Sequence, residues 1–453
     1  MTAEASSDRR EFLALLWRLG LPVALQEMVA TLVALYTVVI LGRLGETQVA
    51  AAALANQVFF LLALLLFGTS SGATVFSAQF WGKGDVRSIR RVLSLILSLN
   101  LTSAAVFSLI VMSSATRVLS LLSPDPAVIQ AGASYIRIVA LSYFASAITF
   151  SLAATLRSIG NTRLPMVTSA GSLLLHAVLS FGLVMGRWGL PTLGLMGVAV
   201  SLCCVRWLEC AALLALVYGQ QSPAAASWAE LRSLDRQLVR RVLSTSLPVM
   251  LGELVWALAM TMFNRTYAFI GTDAIAAANF VSTVESAALV PFVGMMFAGA
   301  TIIGNSIGAN QEKRATGYGR WLLGLSVAFA LALGLGLFFG RDLLLANYGV
   351  APATLAHARR MLAFAAGLLT ARGLNMILFI AILRAGGDTR FCFWLDVTAT
   401  WVVGVLPAYL GATVFRLPVE WVYLLAMGNE VVKAVACLLR FRSGRWLRNL
   451  VRQ

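Results

Sequence analysis

Charged residues are scarce in this chain. They make up 12% of its 453 positions, whereas hydrophobic residues make up 59%. Soluble domains carry about 25% charged residues, so this chain has too few to cover a surface that faces water. The composition therefore excludes an ordinary soluble protein and indicates that much of the surface contacts lipid.

Histidine and cysteine are also rare, with two and five residues. The cysteines lie inside apolar segments without metal-ligand spacing, so neither a metal site of this kind nor a disulfide framework is predicted. The sequence also shows no nucleophile–base pair and no phosphate-binding loop. These absences argue against an enzyme, and we expect no cofactor.

Long apolar runs are the main positive signal. Residues 48–80 contain no charged side chain, and residues 19–41 contain Glu27 alone. About 20 apolar residues cross the hydrocarbon core as a helix, so the runs predict an all-α integral membrane protein with twelve transmembrane helices. The predicted spans are 14–41, 49–80, 90–115, 128–156, 164–186, 192–218, 241–270, 275–307, 318–340, 354–383, 391–413 and 418–439.

The net charge of +16 is best explained by topology. Most Lys and Arg residues fall in loops on one side of the predicted spans, such as Arg87, Arg236 and Arg445. The opposite loops hold few, such as Arg43 and Arg187. By the positive-inside rule the basic loops and both termini are cytoplasmic, and the basic loops contact anionic lipid rather than nucleic acid.

The chain contains an internal repeat, since a shift of 226 residues places Glu27 on Glu253 and Gly45 on Gly271. Each half holds six predicted helices and enters the membrane from the same side. Paired lobes of this kind alternate around a central site. The predicted parts are an N-terminal six-helix lobe at 1–218, a cytoplasmic linker at 219–240 and a C-terminal six-helix lobe at 241–453.

Several sequence blocks along the whole chain match one family. They include LPVALQEMVATLV at 21–33, GRLGETQVAAAALANQ at 42–57, FSAQFWGKGD at 76–85, LPVMLGELVWAL at 247–258 and LRAGGDTRF at 383–391. With the twelve spans and the repeat, the chain resembles the multidrug and toxic compound extrusion (MATE) family, in its bacterial NorM-like branch. The resemblance implies two homologous six-helix bundles with a V-shaped central cavity. It also implies a bacterial inner membrane exporter of amphipathic organic cations (multidrug efflux), driven by entry of Na⁺ or H⁺.

Six acidic residues lie within the predicted spans, where each costs about 2.5–3.5 kcal/mol on insertion scales. Two have a base three residues away on the same helix face, which predicts structural pairs. These pairs are Arg206 with Glu209 and Glu430 with Lys433. The other four are candidates for ion coupling or substrate binding: Glu27, Glu253, Glu285 and Asp396.

Glu253 has no basic residue within a helical turn and matches the glutamate that the family uses for ion coupling on helix 7. A carboxylate can alternate between protonated, sodium-bound and drug-bound states, as an antiporter requires, although a neutral hydrogen-bonded acid is the alternative. Glu285 follows Ser282 and Thr283, whose hydroxyls could help to bind sodium. Glu253 and Glu285 are therefore the predicted sodium ligands, and Glu27 is the repeat counterpart of Glu253.

Two residues of predicted helix 10 complete the candidate site. Arg372 is expected to pair with Glu253 or Glu285, and Asn375, one turn later, could bind an ion. Asp396 on helix 11 has Arg390 or Arg372 as a possible structural partner.

Two departures from the family pattern bear on coupling. Many relatives carry an aspartate on helix 1 where this chain has Thr37, and some carry one on helix 10 near Gly373. Both are missing here, so the coupling role is predicted to fall on Glu253, with Glu27 and Glu285 assisting.

Two other functions stay open at this point. A lipid-linked precursor flippase of the same superfamily would need a basic cavity, and a non-transporting membrane scaffold would need no site at all. The sequence names no substrate and does not choose between Na⁺ and H⁺. We expect small cationic molecules and membrane lipids as partners, and a monomer.

Overall fold

The computed structural model describes residues 2–232, 235–346 and 350–452, with side chains from Asp8 onward. The regular elements in these ranges are fifteen α-helices and two π-helices. They are α1 Thr2–Gly42, α2 Glu46–Lys83, α3 Val86–Ser120, α4 Pro126–Ala140, α5 Tyr143–Ser158, α6 Arg163–Met185, α7 Leu195–Gly219, α8 Trp228–Arg232, α9 Arg236–Ile270, α10 Thr272–Gly308, α11 Glu312–Ala346, α12 Pro352–Asn375, π1 Met376–Arg384, α13 Thr389–Thr398, π2 Ala399–Val405, α14 Leu406–Thr413 and α15 Val419–Arg442.

The prediction of an all-α protein with twelve spans is confirmed. In the described ranges eleven helices, counting α12–π1 and α13–π2–α14 as one each, are long and apolar enough to cross a membrane. The bent pair α4–α5 supplies the twelfth.

The single helix predicted at 128–156 is wrong in detail, because the chain bends by 51° between α4 and α5. The backbone N–H groups of Leu141 and Ser142 bond to carbonyls three residues back, and the Ser142 hydroxyl donates to the Val139 carbonyl oxygen at 2.7 Å. These tight bonds end α4 before α5 begins. The π-helices were not predicted either.

The internal repeat is visible in the backbone turns. Gly45 and Gly271 precede α2 and α10 with φ of 112° and 153°, a region that favours glycine. Gly160 and Gly387 end the helices of their own halves with φ of 84° and 92°. The two halves of the sequence therefore use matching turns at matching places.

The chain forms two compact units, and their boundaries also repeat at a spacing of 226 residues. Unit 2 comprises Leu25–Met250, and unit 1 comprises Met1–Ala24 with Leu251–Gln453. The start of α1 thus belongs to unit 1, and α9 up to Met250 belongs to unit 2. This division differs from the predicted lobes, whose boundaries at 218 and 241 remain predictions.

The predicted linker contains the short helix α8, which docks on α3 within unit 2. The Arg90 guanidinium contacts the Glu230 carboxylate at 3.0 Å and donates to the Pro223 carbonyl oxygen at 3.1 Å. The Ser227 N–H donates to Glu230 at 2.8 Å, an N-terminal capping bond that holds the pKa of this carboxyl below its usual range. The described residues of the linker around α8 therefore pack on α3 within unit 2.

Inside unit 1, α1 packs closely on α10 through two glycines. A Cβ atom at Gly294 would lie 2.6 Å from the carbonyl oxygen of Gly20. The absence of a side chain at this position is what allows the two backbones to touch.

We predict that G294A destabilises the protein by roughly 1–3 kcal/mol, because the new methyl group overpacks this contact. Thermal unfolding in detergent measures the effect. The matched control is G336A, since a Cβ at Gly336 in α11 meets nothing within 4 Å. Equal unfolding temperatures for the two variants would contradict the packing.

Candidate functional site

The helix α15 presents three polar side chains, Tyr423, Glu430 and Lys433, at spacings of seven and three residues. Such spacings return to one helix face. Each of the three side chains contacts a different element of unit 1, so this face organises the polar interior of the unit.

Tyr423 and Arg372 both bind Glu285. The Arg372 guanidinium lies 2.7 Å from Glu285 Oε1, and the Tyr423 hydroxyl donates to the same oxygen at 2.6 Å. The Glu285 side chain is 5% exposed. The predicted pairing of Arg372 with one of two glutamates is confirmed for Glu285, and Tyr423 was missed because only the tertiary fold brings it there.

Lys433 contacts Asp396 on α13. Its Nζ lies 2.6 Å from Asp396 Oδ1, and the Thr400 hydroxyl donates to this oxygen at 3.3 Å. The predicted partners of Asp396, Arg390 or Arg372, are therefore wrong. So is the predicted pair of Lys433 with Glu430, because Lys433 reaches across to α13 instead of along its own helix.

Glu430 is bound by the amide of Asn375. The Asn375 Nδ2 donates at 2.7 Å both to Glu430 Oε2 and to the Glu430 carbonyl oxygen. Asn375 was predicted to bind an ion, and the structure places it against a carboxylate at the end of α12.

Glu253, the main candidate of the sequence, has a basic partner. Arg384 Nη1 lies 3.1 Å from Glu253 Oε1, with the two side chains 7% and 14% exposed. The guanidinium also lies over the Phe379 ring, 5.2 Å from its centroid. The predicted spans leave Arg384 in a cytoplasmic loop, 131 residues away from Glu253 in the chain, so this partner could not be predicted.

Three of these side chains lie in or next to the π-helices. Asn375 directly precedes π1, Arg384 ends it, and Thr400 lies in π2. A π-turn adds a residue to the helical register and is common at functional sites. The extra residue changes the direction of the side chains that follow, which no helical period could have predicted.

Together these residues form what we call the charged cluster of unit 1. Arg372 also attracts Glu430, and the carboxylates of Glu253 and Asp396 repel each other. The ion pairs of the cluster therefore influence one another. Four carboxylates stand against three bases, so the formal charge is −1. The cluster consists of Glu253, Glu285, Arg372, Arg384, Asp396, Glu430 and Lys433.

Two further buried carboxylates of unit 1 lie at element ends outside the cluster. Asp388 contacts Arg440 at 2.6 Å and Arg448 at 2.8 Å. Glu420 contacts Arg360 at 2.7 Å, and His357 lies 2.8 Å from it. Each of these two carboxylates therefore has two basic neighbours, so neither adds a negative charge without a basic partner.

Among the residues that the structure describes, unit 2 holds fewer ion pairs in its interior. The predicted pair of Arg206 with Glu209 is confirmed at 3.0 Å, and the Ser172 hydroxyl also donates to Glu209. Glu27 is half-buried and interacts electrostatically with Arg157. Glu27 and Arg157 are the repeat counterparts of Glu253 and Arg384, and Arg157 donates to the side-chain oxygen of Gln26, the neighbour of Glu27, at 3.3 Å.

The two missing aspartates now have structural settings. The Thr37 hydroxyl donates to the Val33 carbonyl oxygen at 2.8 Å within α1. At Gly373 a Cβ atom would lie 2.5 Å from the Phe292 ring, which is fully buried. The space that an aspartate would need beside α12 is filled by an aromatic ring.

The described residues thus form a multi-pass membrane protein of twelve apolar spans, with ionisable side chains in its interior of the kind that mark ion and substrate sites in transporters. The MatE family model matches residues 22–181 and 247–410, one stretch in each half of the repeat. The chain therefore belongs to the MatE (MATE) family, in its NorM-like branch. As a member of this family it is a transporter and not an enzyme.

The relatives agree in length and class. A probable multidrug resistance protein NorM of Deinococcus radiodurans is 30% identical over 432 residues, covering 89% of each chain. An uncharacterized transporter, YisQ of Bacillus subtilis, is 23% identical over 413 residues, covering 90% of this chain and 89% of its own.

Solved structures show the same fold. A mutant of the MATE transporter VcmN from Vibrio cholerae superposes with a TM-score of 0.88 at 18% identity, covering 98% of this chain and 99% of its own. A MOP superfamily transporter from Pyrococcus furiosus gives 0.87 at 18% identity, covering 95% of each chain.

We predict that K433M destabilises the protein by about 3–5 kcal/mol, because it leaves the Asp396 carboxylate buried without a base. The double variant D396N/K433M should recover most of this loss, since both charges are then absent. Thermal unfolding in detergent measures both. The control is K313M, at an exposed lysine of α11. A double variant no more stable than K433M would contradict the pairing.

Proposed function

We propose that the protein exports amphipathic organic cations from the cell in exchange for Na⁺ or H⁺, by alternating access. It acts as a monomer in the bacterial inner membrane, with both termini cytoplasmic. The exchange site is the charged cluster with Asn375, and Glu27 belongs to its counterpart in unit 2.

The observation that carries the proposal is the single surplus carboxylate of the charged cluster. A carboxylate in an apolar interior is expensive unless a positive charge answers it. Three bases answer three of the four acids, so the cluster becomes neutral only when one more cation binds. A coupling ion and a cationic substrate both meet this condition, and a site with one unanswered charge favours one of them at a time. The names of the NorM relatives, multidrug resistance proteins, agree with such a cargo.

The predicted role of Glu253 and Glu285 as sodium ligands stays a prediction. Arg384 contacts Glu253 and Arg372 contacts Glu285, so a sodium ion would have to replace a guanidinium at either carboxylate. We therefore propose that Glu253 and Glu285 hold the basic side chains of the site in place. The exchanged cation neutralises the charged cluster as a whole.

A flippase for lipid-linked precursors fits less well. A pyrophosphate cargo needs bases that are free to contact it. Arg206, Arg372, Arg384 and Lys433 each contact a carboxylate instead.

We predict that energised membrane vesicles containing the protein export ethidium, and that collapsing one ion gradient, either sodium or proton, stops the export. Collapsing the sodium and proton gradients separately identifies the coupling ion. Export that survives the loss of both gradients, or vesicles that do not move any of several cationic dyes, would contradict cation-coupled efflux.

The variant E253Q changes the formal charge of the cluster from −1 to 0, because Arg384 loses its acid. We expect ethidium export to fall at least about tenfold, a barrier increase of roughly 1.4 kcal/mol, at a temperature where thermal unfolding in detergent shows that E253Q is still folded.

The double variant E253Q/R384Q returns the charge to −1, and we expect it to regain part of the export. The exposed substitution E312Q on α11 is the control. A double variant as inactive as E253Q would contradict this reading and would assign the exchanged ion to Glu253 directly, while full export by E253Q would remove Glu253 from the site.

A further inference from the structure

Within the charged cluster, Glu430 differs from the other three carboxylates. Glu253, Glu285 and Asp396 each contact a base within 3.1 Å. Among the described residues Glu430 contacts no base, and its side-chain partner is the Asn375 amide. The surplus negative charge of the cluster is therefore located at Glu430.

Asn375 supplies a second observation. The residue is 7% exposed, and its Oδ1 is buried without a hydrogen-bond donor. A buried amide oxygen that receives no donor is costly, and such atoms in native proteins require an explanation. Here the unused acceptor belongs to the amide group that already holds the surplus carboxylate.

The basic neighbours of Glu430 contact other carboxylates, and its remaining titratable neighbour interacts with it only electrostatically. Arg372 on α12 interacts with Glu430 electrostatically but contacts Glu285, and Lys433 on α15 contacts Asp396. Cys437, one turn further along α15, also interacts with Glu430 electrostatically. None of these groups neutralises the Glu430 carboxylate by contact.

We propose that Glu430 and Asn375 form the binding site of the exchanged monovalent cation. The assignment rests on the proposed function and names the residues that carry it out. The spacing of Glu430 and Lys433 predicts a structural pair, and only the contact of Lys433 with Asp396 shows that Glu430 has no base of its own.

The amide of Asn375 suits a carboxylate that changes its charge. Its NH₂ group donates to the ionised carboxylate, and its oxygen can accept the O–H of the protonated acid after a flip of the amide. For sodium, the amide and carboxylate oxygens are both hard ligands of the kind that such a cation prefers. One pair of side chains thus serves either coupling ion.

The test is the affinity of purified protein for ethidium, measured by fluorescence across a pH series without sodium and across a sodium series at fixed pH. In the wild type, proton coupling gives up to about tenfold tighter binding per pH unit as the site loses its proton. Sodium coupling gives weaker binding as sodium rises. The two series distinguish the two ions, and either dependence fits the site.

We expect the ethidium affinity of E430Q to lose the dependence on pH or sodium that the wild type shows, and the affinity of E430D to keep it. An E430Q protein with the wild-type dependence would overturn the assignment. A wild type that responds to neither ion would instead refute the proposed function, so the two failures are distinguishable.

N375A keeps the proposal testable should E430Q bind too little dye. Loss of the amide donor destabilises the ionised carboxylate, so the proton dependence should move to higher pH. If sodium is the coupling ion, loss of the amide oxygen should raise the sodium concentration that is needed to weaken ethidium binding. N375A with the wild-type midpoint would overturn the site, and E312Q should match the wild type throughout.

Discussion

The structure of unit 1 depends on one electrostatic constraint: four carboxylates and three bases share an apolar interior. Each ion pair offsets part of the cost of burying its two charges, and one carboxylate is left without a base. An interior that cannot neutralise itself must take a positive charge from outside. The same constraint explains why the bases of the cluster are bound to acids and are not available to an anionic cargo.

The fold serves this constraint through a few elements. The face of α15 reaches α10, α12 and α13 with Tyr423, Glu430 and Lys433, and π1 brings Arg384 to Glu253 on α9. Unit 2 repeats the turns and carries Glu27 and Arg157 at the counterpart positions, but Glu209, a further interior acid among its described residues, has a base three residues away. The repeat therefore supplies two similar scaffolds, and the surplus charge belongs to unit 1.

Much of the fold could be predicted because its causes are local. Apolar length gives the spans, and glycine turns mark the repeat. Arg206 with Glu209 was predictable because helix geometry fixes neighbours three residues apart. The partners of Asp396 and Glu253 were not, since Lys433 and Arg384 come from distant segments and a π-turn changes the side-chain direction. Lys433 could also have contacted either Glu430 or Asp396, and only the tertiary packing determines that it contacts Asp396.

The most direct measurement of the central claim is a stoichiometry. A pH electrode and a sodium electrode can count the ions that the purified wild-type protein releases as a monovalent cationic dye binds. The account predicts a total of one positive charge released for each dye molecule bound, as H⁺ or as Na⁺. Dye binding with no release of either ion would contradict it.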